Sequence, residues 1–167
     1  MCGNDSSKMA LYGKSSLGNL TTLTVEHNGY ERGSNITFTI SGPSDVWYGV
    51  GFNAEEMKDE PYAIIIDGKG EVSERKLGEH APGKLLRKTL QIISNSVNNN
   101  IRTVVVTREI IDENDMPYLS VAGNLNVITA VGSTIDLSYH KSRTAASIVM
   151  IPQKVRSCLC QPNRHRR

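Results

Sequence analysis

Apolar residues in this chain recur at every second position, in short runs, and that period leaves little room for helices. In Asn35-Ile36-Thr37-Phe38-Thr39-Ile40-Ser41, residues Ile36, Phe38 and Ile40 fall on one face, as the pleat of a strand requires. The preceding run "LTTLTVEH" (Leu20–His27) is of the same kind, and "NGYERGS" between them reads as a turn. Further β-branched runs follow: "VWYGVGFN", "YAIIID", "EVSERKL", "LQIISNSV", "IRTVVVTREI", "YLSVAGN", "LNVITAVG", "TIDLSYH" and "AASIVMI". Gly, Asn, Asp and Pro clusters separate them at short intervals, the pattern of a sandwich or barrel rather than of βαβ units. The asparagines of "NSVNNNIR" suit a hairpin turn because Asn tolerates positive φ. The best helical signal is one turn at Ala54–Lys58, with Asn53 as its N-cap and Glu56 as box partner.

At 167 residues the chain suits one domain with a sizeable core. No stretch approaches the ~18 apolar residues that a membrane-spanning helix needs. The net charge is +2, but Lys154, Arg156, Arg164, Arg166 and Arg167 lie in an acid-free tail, so the rest of the chain is net acidic. That body offers no basic stripe for phosphates, which argues against nucleic acid as a partner. The expected division is a 1–17 extension, an 18–152 sandwich and a 153–167 basic, cysteine-bearing tail.

Cysteines occur only at the extremes, Cys2, Cys158 and Cys160. A disulfide from Cys2 to one of the other two could join the ends of a domain, leaving an odd thiol for a partner elsewhere; free thiols in a reducing compartment are the other reading. Asn-x-Ser/Thr triplets at Asn4, Asn19 and Asn35 fit an extracellular glycoprotein, secreted or the ectodomain of a longer chain. The start Met1-Cys2-Gly3-Asn4-Asp5 is polar and is not a signal peptide.

Motifs for hydrolysis, P-loop phosphate binding and zinc proteolysis are absent from the sequence. Gly49-Val50-Gly51 lacks the third glycine and following helix of a dinucleotide fingerprint; it reads as a flat strand that something approaches closely. His27, His80, His140 and His165 show no ligand-pair spacing. Nothing marks a turnover enzyme, and an electron-transfer or binding module is expected instead.

The order of features "WYGVGFNAEEM", "YAIIID", "TVVVTREI", "VITAVG" and "SYHKSRTAA" resembles the DOMON family, the type found in dopamine β-monooxygenase and in the cytochrome domain of cellobiose dehydrogenase. The resemblance covers roughly residues 18–151. It rests on Gly49-Val50-Gly51-Phe52, on Met57 in the following loop, and on Tyr139-His140 before Arg143. It implies an all-β, immunoglobulin-like antiparallel sandwich of about 9–11 strands. It also implies haem b, with Met57 sulfur and His140 nitrogen as axial iron ligands at the sandwich rim. Met/His ligation raises the reduction potential and, with both axial sites filled, favours electron transfer over oxygen chemistry. Arg143 or Lys141 would meet a propionate, and Val50 and Phe52 would belong to the pocket, with Ile64, Ile66, Val127, Ile128 and Val131 shared between pocket and core. The partner is then a redox protein or a neighbouring domain.

Alternation along Ile135-Asp136-Leu137-Ser138-Tyr139-His140 puts His140 with Asp136 and Ser138, so a solvent-facing histidine is the plainer reading of the strand alone. Met57 in its charged loop can equally be a half-exposed side chain. The alternatives are therefore a cofactor-free module binding carbohydrate or another small ligand, and an adhesion domain of a larger protein.

Overall fold

The computed structural model describes residues 9–16, 21–28, 33–79, 81–111, 116–119 and 122–154. Cys2, Cys158, Cys160, Asn4 and Asn19 lie outside them. The described residues form eleven antiparallel strands and two single 3-10 turns. The strands are β1 (Met9–Ser16), β2 (Thr22–His27), β3 (Asn35–Pro43), β4 (Tyr48–Phe52), β5 (Tyr62–Ile66) and β6 (Val72–Gly78), then β7 (Ala81–Leu85), β8 (Gln91–Asn98), β9 (Ile101–Glu109), β10 (Gly123–Val131) and β11 (Ser142–Lys154). Their order across the structure is β7-β6-β5-β4-β10-β11-β1-β2-β3-β9-β8. The expected antiparallel β-sandwich is the observed fold.

Strand β11 makes the corner between the two layers. Its Ser142–Met150 portion pairs with β10, and the part from Ile151 to Lys154 pairs with β1. Met9–Ser16, read from the sequence as part of an extension, thus form a strand between β11 and β2. Their composition, with Ala, Gly and Lys and no β-branched residue, hides the strand from a propensity reading.

Between the layers, alternation does what the sequence promised. Leu23, Val25, Ile36, Phe38, Ile40, Val104 and Val106 meet Tyr48, Val50, Phe52, Ile64, Ile66, Val127 and Ile148 in one buried cluster. The Phe38 and Phe52 rings lie 5.0 Å apart, tilted by 52°. The β8–β9 hairpin turns on Asn99 and Asn100, at φ 50° and 63°. Two successive positive-φ residues give the primed turn that matches strand twist.

Two sequence expectations are corrected. Residues 134–140, with apolar residues at 135, 137 and 139, form no strand. Their backbone is spoken for elsewhere, as the site geometry below shows. The run 118–124 is divided: Tyr118 and Leu119 fall in a 3-10 turn, Pro117–Leu119, β10 opens at Gly123, and residues 120 and 121 lie outside the described residues.

A polar cluster anchors the segment entering β8. Glu74 is buried; its Oε1 accepts from Tyr62 Oη at 2.5 Å and from the Thr89 hydroxyl, while its Oε2 accepts from the amides of Thr89 and Leu90. Burial pushes its pKa up, but these hydrogen bonds outweigh burial and leave it lowered. The carboxylate therefore stays ionised inside the fold.

His27 is buried at the end of β2, and burial lowers its pKa, with a backbone hydrogen bond opposing in part. Its folded pKa lies below the unfolded value near 6.5, so the unfolded chain takes up a proton first as pH falls. Stability contributed by the neutral ring is full above that value and drains away as pH falls through the folded pKa. We expect the urea midpoint to fall between pH 7.5 and 5.5, and the fall to shrink in His27→Gln, as measured by circular dichroism.

Candidate functional site: a cavity on the outer face of one sheet

Strands β4 and β5 are the only part of the sandwich with both faces covered among the described strands: every residue of β4 is buried, and so are Ala63–Ile66 of β5. Tyr48, Val50 and Phe52 point between the layers. Gly49 and Gly51 therefore lie on the outer face, opposite Ile65/Ala130 and Ala63/Ile128 in register. A Cβ on Gly49 would come within 2.4 Å of Ile65 Cδ1, and one on Gly51 within 2.9 Å of Ile128 Cγ1. The two glycines let neighbouring side chains lie flat across the strand.

Above this floor is a cavity of about 760 Å³, within the range of small-molecule and cofactor sites. Its apolar surfaces come from Trp47, Ala63, Ile65, Leu77, Ile128 and Leu137. The cavity is thus on the outward face of the sheet and not at the rim between the layers, where the sequence reading put it.

Two loops close it from opposite ends of β4. After Phe52 comes the loop bearing Met57, which opens a 3-10 turn, Met57–Asp59. The single turn expected at 54–58 exists, shifted: Glu56 occupies the N-cap position, while Asn53 adopts φ 55°. Asp59 Oδ2 accepts from the amides of Glu55 and Glu56 at 3.0 and 3.2 Å, and Glu60 ends the turn in the left-handed region.

From the other end comes the β10–β11 loop, residues 132–141, which carries His140. Trp47 holds it. The Trp47 amide donates to Thr134 O at 3.0 Å, and the Gly132 amide to Trp47 O at 2.8 Å. The indole Nε1–H donates to Ser138 Oγ at 3.3 Å, and that hydroxyl shares a 2.7 Å hydrogen bond with Thr134 Oγ1. The Gly68 amide donates to Ile135 O at 2.8 Å. A Cβ on Gly132 would sit 1.9 Å from Trp47 Nε1, so only glycine fits there.

Of the expected site residues, Met57, His140, Arg143 and Val50 line this one cavity, Val50 with its side chain in the inter-sheet core. Phe52 packs on Phe38 inside that core, and Ile64, Ile66, Val127 and Val131 lie there too. Lys141 does not border the cavity; it is exposed, with its amide on Val131 O. Glu55, Glu56, Lys58 and Glu79 add charge to the walls, the Lys58 ammonium being 2.6 Å from Glu56. The sequence reading gave no site role to Trp47, Ala63, Ile65 or Leu137. For Ala63 and Ile65 the signal was the unbroken "YAIII" run, which marks burial on both faces rather than alternation.

Fold and cavity together define an all-β sandwich carrying a ligand-sized cleft on the outer face of one sheet. A solved structure shares the fold: the cytochrome b domain of pyranose dehydrogenase from Coprinopsis cinerea, with TM-score 0.58 and 18% identity over 76% of this chain and 75% of that one. No family model matches the sequence, and no curated protein matches it.

The chain has one tryptophan, so its fluorescence reports this loop alone. Gly132→Ala should drive the indole from its slot, red-shift the emission and cost about 1–3 kcal/mol, the usual range for overpacking. An unshifted spectrum with unchanged stability would show that the loop is not seated on Trp47.

Proposed function

We propose that this chain is a DOMON-type, haem b-binding module that passes single electrons, with Met57 and His140 as the axial pair. The observation that carries the reading is their convergence: two residues remote in sequence, on loops entering from opposite ends of β4, line the same cavity. The likeness of fold to a cytochrome b domain supports it.

The residues present fit the group. A flat apolar macrocycle needs a floor without protruding side chains, and Gly49, Gly51, Ala63 and Ala130 supply one. Iron needs donors of the right softness, and thioether with imidazole is such a set. Carboxylates at the macrocycle edge need a cation, and Arg143 stands on β11 at the cavity wall. Haem, when bound, supplies the one-electron couple; the chain's part is to orient, desolvate and hold it. Trp47 and Leu137 exclude water on the histidine side, and the clamped 132–141 loop limits rearrangement of the imidazole. With Met57 and His140 both holding the iron, the group would supply a one-electron couple rather than a substrate site, which suits a relay whose partner is a redox protein or adjoining domain outside the cell.

Tyr139 favours a second reading. It is 80% exposed, and its ring lies 4.5 Å from that of His140. An exposed aromatic at the mouth of a cleft is also what a cofactor-free carbohydrate module would present.

Haemin titration of the purified protein, followed by reduction, separates the two. A sharp low-spin α band lost in both Met57→Ala and His140→Ala is expected, with far-ultraviolet circular dichroism unchanged. A band that survives both substitutions rules out the axial pair. Absence of haem uptake, with thermal stabilisation by a glycan that Tyr139→Ala abolishes, would establish the carbohydrate reading.

A further inference from the structure

The two outermost strands of the sheet order, β7 and β8, are protected very differently. A strand edge carries unpaired backbone donors and acceptors, and proteins guard it with prolines, lysines, bulges and short length. Strand β7 has all four: five residues, Pro82, Lys84, and a register break in its pairing with β6. Strand β8, "QIISNSVN", has eight residues and no charge. Its register shift is confined to Ile92/Ser94, leaving Ser94 to Asn98 in regular pairing with Val105 to Ile101.

All eight residues of β8 are exposed. Ile92 is 52%, Ile93 60% and Val97 50% accessible, so these apolar side chains stand largely open to solvent, while the Asn95 side-chain amide is tied down, donating to Gly70 O at 2.7 Å. Large β-branched side chains on a bare edge are the combination that recruits another strand.

We propose that β8 pairs with β8 of a second copy of this chain, antiparallel about a twofold axis at Ser96. The register follows from the hairpin. A two-residue turn makes its flanking residues, Asn98 and Ile101, a hydrogen-bonded pair. Bonded and non-bonded pairs alternate in an antiparallel ladder, so Asn98 and Ser96 turn their amides toward β9, and Asn95 and Val97 turn theirs outward. In a twofold pair, Asn95 of one copy then bonds Val97 of the other, twice over, and Ser96 faces its own equivalent.

The occupant is a second copy because the edge is complementary to itself. No residue from Gln91 to Asn98 is charged, so self-pairing brings no like charges together and desolvates none. Small Ser96 side chains permit close approach on the axis, where a non-bonded pair has its Cα atoms only about 4.5 Å apart. Closed twofold pairing also removes the edge without opening a path to fibres.

Light scattering coupled to size-exclusion chromatography tests this, with wild-type chain at about 100 µM. Mass is expected at double the 18.4 kDa of the chain. Ser96→Lys and Ser96→Glu should each run as monomers, since each sets like charges face to face on the axis, and a mixture of the two should restore the doubled mass. Val97→Pro, which removes an outward amide and spares the β9 ladder, should be monomeric with unchanged circular dichroism. A monomeric wild type overturns the proposal. So does a dimer indifferent to Ser96→Lys, or a failure of the two charged variants to recombine. None of these readouts depends on haem.

Discussion

Strand β4 divides its residues by size, and the site depends on that division. Tyr48, Val50 and Phe52 fill the space between the layers, while Gly49 and Gly51 leave the other side bare. A sheet face exposed to water would ordinarily carry polar side chains. Here the opposite face of β4 and β5 is glycine, alanine and isoleucine, and two loops and Trp47 are laid over it. Core and cavity are therefore the two sides of one strand. A change that thickens the outer face displaces the loops, and one that thins the inner face loosens the floor on which they rest.

The hydrogen-bond account of the 132–141 loop explains why it is irregular. Every buried backbone group needs a partner, and this segment finds its partners in Trp47 and Gly68 rather than in a ladder. Giving up strand pairing frees the chain to arch over the sheet and bring Leu137 and His140 to the cavity. The same indole that fills a wall of the cavity supplies the N–H that fixes Ser138. Packing and polar fixation thus act through one side chain, and Gly132 is the space that side chain requires.

How much of this was legible in the sequence varied with the physics behind each feature. The inter-sheet core was readable from period-two alternation, as in Ile36, Phe38 and Ile40, and the Asn99–Asn100 turn from the φ preference of asparagine. Strand β1 was not, because Met9–Ser16 owe their pairing to β2 and β11 rather than to their own propensity. Residues 134–140 misled for the opposite reason: their alternation is real, but tertiary hydrogen bonds override it. Met57, His140 and Arg143 came from order of motifs, not from any local signal; periodicity alone gave His140 to solvent. Phe52 was placed in the pocket by the family resemblance, but adjacent strand residues face opposite ways, and Phe52 faces the core while Gly51 faces the cavity. The floor itself, Gly49, Ala63, Ile65 and Ala130, had a signal in its unbroken apolar runs, but a run cannot say which of its two faces meets core and which meets a ligand.

The loops at the two ends of the cavity are held by unlike means, and this bears on how a ligand would be accommodated. The His140 side is tied by backbone hydrogen bonds and a buried indole, interactions that water screens poorly. The Met57 side stands on a single 3-10 turn capped by Asp59, with exposed ion pairs from Lys58 to Glu56 and from Lys76 to Glu60. Pairs of that kind contribute little in water. A methionine side chain has three rotatable bonds and a polarizable sulfur, so it adapts where a ring cannot. For the haem proposed above, the fixed imidazole side would define the position and the more compliant thioether side would adjust to it.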